Sequence, residues 1–221
     1  MTKRNVRFHS PLVIPISPNG RIFTGRYDSG YPFTRYRDTH NPLGGNPTVA
    51  ERDSGKGPLD TLIREIREEI DPSAINTEQS WADSKDIQTV QEAILKNLAA
   101  FQDFYMQVPD LKEQGGRPAH NWIGSLYIAK VSNEIIDIVA ENIKNGRRLL
   151  TEGYAGVTDI NALESGRDKI AHSSGLILSY AFDRNIPCLA TGATLKPIGM
   201  PRKSFSDYFP EFDYDPKAFR E

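Results

Sequence analysis

Pro58-Leu59-Asp60-Thr61-Leu62-Ile63-Arg64-Glu65-Ile66-Arg67-Glu68-Glu69-Ile70 decides how this chain is read. Proline suits the first helical position, where its missing N–H is not needed. Leu59, Leu62, Ile63, Ile66 and Ile70 recur at i, i+3, i+4, i+7 and i+11, which predicts one buried stripe on a helix over 58–70. Beside that stripe, Glu65 and Glu69 are neighbours one turn apart, and Glu68 points roughly 60° further round at ~100° per residue. Like charges at i and i+4 cost roughly 0.2–0.5 kcal/mol in an isolated helix. Arg64 can pair with Glu68, but neither Glu65 nor Glu69 has a basic residue four positions away. Either the helix presents a solvated acidic face, or a hard divalent cation held by carboxylate oxygens relieves the repulsion.

The residues ahead of the helix bear on that choice. Pro42-Leu43-Gly44-Gly45 is a turn with paired glycines, and Gly45 to Glu51 has the form G-x5-E. The run then ends in Arg64-Glu65-Ile66-Arg67-Glu68-Glu69-Ile70. Together these resemble the signature of the Nudix hydrolase superfamily, G-x5-E-x7-R-E-U-x-E-E-x-G-U with U apolar. The Arg-Glu-Ile-Arg-Glu-Glu core matches fully, and two departures stand beside it. Twelve residues rather than seven separate Glu51 from Arg64, as though Arg52–Lys56 were inserted. Without an insertion, Lys56 takes the position of the first acid and Ala50 that of the first glycine. The final glycine is replaced by Asp71, a residue that tolerates left-handed backbone better than most.

The resemblance implies hydrolysis of a nucleoside diphosphate linked to another moiety, with Mg²⁺ or Mn²⁺ as cofactor. It implies Glu65, Glu68 and Glu69 as metal ligands, with a backbone oxygen near Gly44 or Gly45 joining them. Arg64 is then the partner that orients these carboxylates, and Glu51 the first acid if the insertion is real. The family draws a further carboxylate from a later loop. Glu152, two residues before a short strand pattern, is the candidate, and Glu141 and Glu164 are rivals. The catalytic set is therefore Glu152, Glu69 and Arg64. Arg26, Arg35, Arg37 and Arg147 are the candidates for phosphate, together with Arg21 and Arg148, because guanidinium groups meet phosphate bidentately. Tyr31, Phe33, Tyr36 and Trp122 can stack on a base, and His120 reads as structural. The alternative function is a Nudix-like module that binds nucleotide with little or no turnover. A third is an unrelated α/β interaction protein.

The flanking sequence predicts an α/β fold, a Nudix-like α/β/α sandwich with a mixed sheet over roughly 11–183. Leu12–Ile16 and Ile22–Tyr27 are strand-like and are joined by Ser17-Pro18-Asn19-Gly20, rich in turn formers. Trp122–Val131 and Tyr154–Ile160 read as strands. Asn133 to about Ile143 and Lys169–Phe182 read as helices, the first closed by Asn145-Gly146. One domain over 1–221 is expected, with a helical insertion at 72–120 and a C-terminal extension at 186–221. Within the insertion, Ile87, Val90, Ile94, Leu98, Phe101 and Tyr105 predict one long helix over about 84–107, ended by Pro109. Its stripe needs a cover, either the chain's own sheet or a second subunit, so a homodimer is a possible state. Ser204–Phe219, aromatic and acidic and broken by Pro210 and Pro216, is expected to form a C-terminal arm packed on the domain or on a partner.

Composition narrows the partners. The chain has 221 residues, enough for a sizeable core. A net charge of −2 and a pI near 6.1 give no global field for nucleic acid or anionic membrane. Apolar content is 38% and mean hydropathy −0.50, and no run approaches the ~18 apolar residues of a membrane span. The basic start, Met1–Arg7, lacks a following apolar core and is not expected to act as a secretory signal. The one cysteine, Cys188, makes no internal disulfide and reads as a small buried apolar residue. A cytoplasmic protein acting on a small nucleotide is the expectation.

Overall fold

Hydrophobic alternation in the central strands sends successive side chains to opposite faces of one sheet, and both faces are covered. The computed structural model describes residues 9–71, 73 and 80–198. β1 (His9–Ile16) and β2 (Arg21–Arg26) form the expected hairpin. β3 (His40–Asn41) and β4 (Leu43–Gly44) follow, then two helices, α1 (Val49–Asp53) and α2 (Pro58–Glu69). After α3 (Ser84–Lys96) come β5 (Leu98–Val108), β6 (His120–Lys130) and α4 (Asn133–Lys144). β7 (Tyr154–Asp159), α5 (Ile160–Glu164), α6 (Ser174–Phe182) and β8 (Thr194–Ile198) complete the order.

The strands run β3-β2-β1-β6-β5-β8, with β4 against β1 and β7 against β2. β1 and β6 are parallel over eight register pairs, and the other pairings between named strands are antiparallel, so the sheet is mixed. On one face Ile14, Ile16, Leu126 and Ile128 pack with Ile177, Leu178 and Phe182 of α6. On the other face Val13, Phe23, Tyr127 and Ala129 pack with Leu62 and Ile66 of α2, Val90 and Ile94 of α3 and Val139 of α4. The expected α/β/α sandwich with a mixed sheet is the observed architecture.

The hairpin opens where the site lies. β1 and β2 stay paired at Ile16 and Ile22, near their turn. Further out, β3 pairs with the end of β2, Gly25 facing Asn41, while β4 pairs with the start of β1, Leu12 facing Gly44. The segment 40–44 is thus wedged between two splayed strands. Gly44 has φ +127°, and a Cβ there would lie 2.3 Å from the Pro11 carbonyl oxygen, so this position takes glycine for two reasons.

Three expectations are corrected. The stripe on α2 includes Leu62, Ile66 and Ile70, all fully buried, whereas Leu59 is exposed and Ile63 only half-buried. The long helix over 84–107 is instead α3 followed directly by β5. Ile87, Val90 and Ile94 are on the helix, while Phe104, Met106 and Val108 are buried at alternate positions on a strand. A bulge between Ala100 and Gln102 shifts the phase and places Phe101 at a spacing that imitates a helix. The α3 stripe is covered within the chain by α2 and α4, which removes the observation that suggested a second subunit. Finally, Lys169–Ser173 is not helical and α6 starts at Ser174. Part of the expected extension, β8, pairs with β5 as a strand of the sheet. The proposed arm over Ser204–Phe219 lies outside the described residues.

The exposure difference along α2 gives a direct check. Ile66→Ala should cost about 2–5 kcal/mol of unfolding free energy, the usual cost of a large-to-small change in a core. Leu59→Ala should stay within about 0.5 kcal/mol, as for a surface position. Urea denaturation of both variants measures the contrast.

Candidate active site

Arg64 gathers the acidic residues. Its Nε donates to Glu51 Oε1 at 3.0 Å, Nη2 to Glu65 Oε1 at 2.7 Å, and Nη1 to Glu68 Oε2 at 2.5 Å. Nη2 also donates to the Asn46 carbonyl at 3.1 Å. Glu51 reaches this position because α1 brings it there. Thr48 caps α1 through a capping box, its hydroxyl accepting from the Glu51 N–H while the Glu51 carboxylate accepts from the Thr48 N–H. Arg64 and the Thr48 N–H hold the buried Glu51 carboxyl down at about 2. Lys56 is exposed. The geometry therefore follows the insertion reading, in which α1 and its loop add residues without displacing the first acid. Glu65, which lacks a basic i±4 neighbour, finds its cation in the adjacent Arg64 because the long side chain reaches around.

A cleft of about 510 Å³ is lined by Glu65, Glu69, Glu152, Gly44, Gly45 and Arg26, with Tyr27 and Tyr31 on its wall. Gly45 faces the Glu65 carboxylate so closely that a Cβ would lie 2.4 Å from it. Glu69 is largely buried and accepts from the Gly44 N–H at 3.4 Å, a long contact. Burial, then the Glu65 charge, with further repulsion from Glu152 and Glu68, pushes its carboxyl up to about 8 against the opposing Gly44 donor. Burial also raises Glu65, against the pull of Arg64.

Glu152 is carried to the cleft by the end of α2. The Thr151 N–H donates to the Glu69 carbonyl at 2.8 Å, and the Thr151 hydroxyl donates to the Glu68 carbonyl at 2.8 Å. Two carbonyls that a helix end leaves without partners thus anchor the loop next to Glu152. The rivals lie elsewhere. Glu141 pairs with Lys144 and accepts from Asn145, and Glu164 pairs with Arg184.

The remaining residues divide clearly. Arg26 lines the cleft and donates to the Asp38 carbonyl. Arg35 is committed to the Leu189 carbonyl, Gln114 and Thr191. Arg37 donates to the Tyr31 carbonyl, Arg147 meets Asp83 at 4.0 Å, and Arg21 pairs with Asp137. Arg148 supports the loop by donating to the Thr151 and Gly153 carbonyls. Glu68 is mostly exposed, pairs with Arg64 and does not line the cleft. Phe33, Tyr36, Trp122 and His120 line a second pocket that adjoins the cleft. Sequence reading did not single out Tyr27, Asn46, Arg117 or His172, because no spacing links them to the acidic helix.

Among the described residues, no three His, Cys, Asp or Glu side chains close around one point. The donors facing the cleft nevertheless suit a hard cation. They are oxygens throughout, and Mg²⁺ binds through one or two carboxylates plus substrate phosphates rather than a full protein cage.

Two solved structures match this chain along most of its length. One is the NUDIX hydrolase from Alicyclobacillus acidocaldarius, 11% identical, with 86% of this chain and 95% of that chain covered at a TM-score of 0.46. The other is the bifunctional NMN adenylyltransferase/ADP ribose pyrophosphatase from Francisella tularensis, 11% identical, with 80% of this chain and 40% of that chain covered at 0.40. No family model and no curated protein matches the sequence. The fold is a mixed sheet between helical layers, with the glycine turn packed beside the acidic helix. No helix among the described residues is long and apolar enough to cross a membrane.

Glu69 makes the metal-free protein sensitive to pH. A carboxyl whose folded-state value is raised from 4.5 to about 8 favours the folded state while protonated, so stability falls as pH rises through that window. The melting temperature without metal should drop between pH 5 and 8. Glu69→Gln should flatten that drop, and millimolar Mn²⁺ at pH 8 should restore the wild type. A scan of melting temperature against pH, with and without Mn²⁺, reads all three outcomes.

Proposed function

We propose that this chain is a metal-dependent hydrolase that cleaves the diphosphate of a nucleoside diphosphate linked to another moiety. The observation that supports this reading most is the meeting of Glu65, Glu69 and Glu152 with the Gly44–Gly45 turn in one cleft. Residues far apart in sequence supply oxygen donors to a single space, with a guanidinium at its rim and another behind the acids.

Glu65 and Glu69 would hold Mg²⁺ or Mn²⁺, with Glu152 facing them. Such an ion, when bound, withdraws charge from phosphate oxygens and lowers the pKa of water. Glu152 would accept the proton of the attacking water, since it is exposed and lines the cleft. Arg26 is placed to meet a phosphate at the rim. Arg64 acts through the acids, holding Glu65 by its Oε1 while Glu65 lines the cleft. Glu68 serves Arg64 and points away from the cleft. Arg35, Arg37 and Arg147 are committed to other partners and are left out of the phosphate set. Binding without turnover was suggested by the interrupted loop half of the motif. That interruption leaves Glu51 on Arg64, so hydrolysis is the preferred reading.

Turnover of a panel of nucleoside diphosphate derivatives with Mg²⁺ and with Mn²⁺, followed by release of nucleoside monophosphate, tests the proposal. Glu152→Gln should lower turnover by roughly 10²–10⁴, the usual effect of losing a positioned acid or base. Glu69→Gln should abolish turnover nearly completely while the metal-free fold is retained. Full activity in Glu69→Gln would remove the metal assignment. Full activity in Glu152→Gln would remove only the choice of base.

A further inference from the structure

We infer that the pocket beside the acidic cleft reads a guanine-type ring, a flat heterocycle with two adjacent hydrogen-bond acceptors on one edge, and that Arg117 is the group that reads it. The inference extends the hydrolase reading by naming the base of its substrate. It rests on a different set of residues.

The pocket holds about 350 Å³ and is lined by Phe33, Tyr36, Trp122, His120, His172 and Arg117. That volume is within the range of small-molecule sites, which are mostly apolar with a few placed polar groups. Tyr27, Asn41, Gly44, Gly45 and Asn46 line both this pocket and the acidic cleft. One ligand can therefore span the two, with phosphates among the carboxylates and a ring among the aromatics.

Arg117 is unlike the other arginines of the site. Its Nη2 donates to the Tyr31 hydroxyl at 2.9 Å, and its guanidinium carbon lies 5.3 Å from the centroid of the Phe33 ring. Its Nε is buried and has no hydrogen-bond partner among the described residues. A guanidinium can only donate, and Arg117 lines the pocket, so with Nε buried its Nη groups are the donors that an acceptor on a ligand would meet. The Tyr27 ring lines the pocket and stacks on Tyr31 with centroids 3.8 Å apart. His172 also lines it, with φ +53°, a strained backbone for a side chain of this size. Its Nε2 is 3.2 Å from the Tyr27 hydroxyl, and its ring centroid is 4.1 Å from that of Tyr36. Burial and the nearby Arg117 hold His172 down at about 3, so it is neutral.

One cation in an aromatic box suits a neutral polar ring better than a dianionic phosphate. Flat walls favour stacking, which every base can supply. The donor edge adds the choice among bases. Arginine pairs with the O6 and N7 acceptors of guanine, whereas adenine sets an amino donor beside N7 and opposes the guanidinium.

Calorimetric titration of the full chain with GDP, ADP and inorganic pyrophosphate, in the presence of Mg²⁺, tests this. GDP and ADP carry the same diphosphate, so their difference reports the ring. Wild-type protein should bind GDP about tenfold tighter than ADP, within the discrimination expected of one bidentate arginine–guanine pair. Arg117→Met should abolish that preference while leaving ADP and pyrophosphate affinities near the wild type. Arg117→Lys keeps the charge without the planar fork and should lose the preference too, which covers the case that the methionine variant does not fold. Phe33→Ala should weaken GDP and ADP equally. Equal affinity for GDP and ADP in the wild type would overturn the proposal, as would a preference that survives both arginine variants. A fall in pyrophosphate affinity in Arg117→Met would also overturn it, by showing that Arg117 holds phosphate. Selection of guanine without turnover of any guanosine diphosphate derivative would sink the hydrolase reading and leave this one standing. Turnover without selection would do the reverse.

Discussion

The guanidinium of Arg64 is the interaction on which the site depends. It bonds Glu51, Glu65 and Glu68 and the Asn46 carbonyl, so one planar group fixes α1, α2 and the glycine turn together. A flexible ammonium could not meet these acceptors in one plane. Three acids around one cation still leave excess negative charge. The cost falls on Glu69, which is largely buried, accepts from the Gly44 N–H and faces the charges of Glu65, Glu152 and Glu68. The same arrangement leaves carboxylates facing the cleft without a countercharge of their own.

The sheet supplies the opening. β1 and β2 begin as a tight hairpin and then part around the segment 40–44, which pairs with one strand and then with the other. Gly44 sits where that crossover presses backbone against backbone, and its positive φ lets the N–H point at Glu69. On the far side, Thr151 satisfies two carbonyls at the end of α2 and thereby fixes where Glu152 emerges. Helix termination and positioning of the late carboxylate are thus one structural event.

The cleft and the aromatic pocket share the wall formed by Tyr27 and Gly44 to Asn46. Their chemistry is opposite. The first is acidic and needs positive charge. The second is rich in aromatic rings and has one guanidinium, Arg117, in its lining. Asn46 ties them mechanically, since its side chain accepts from Ser10 and its carbonyl accepts from Arg64.

The sequence by itself determined the elements whose signals are local. The α2 helix, the 17–20 turn, the strands around 12–16, 22–26 and 122–130, and the α4 helix with its Asn145-Gly146 end follow from periodicity and turn chemistry. It also determined the acids Glu65 and Glu69, because unrelieved like charges one turn apart are legible in any helix. The tertiary structure decided what depends on contacts between distant residues. It alone placed Glu51 rather than Lys56 on Arg64, since a five-residue offset can be absorbed by an extra helical turn. It turned the apparent long helix at 84–107 into α3 and β5, because a bulge at Phe101 hid the strand's period of two. It left Leu59 exposed, because periodicity shows which side of a helix is apolar but not which of its turns meets the sheet. Arg117 and His172 gave no sequence signal, because their meaning comes from the pocket they enter and from partners nearly a hundred residues or more away in the chain.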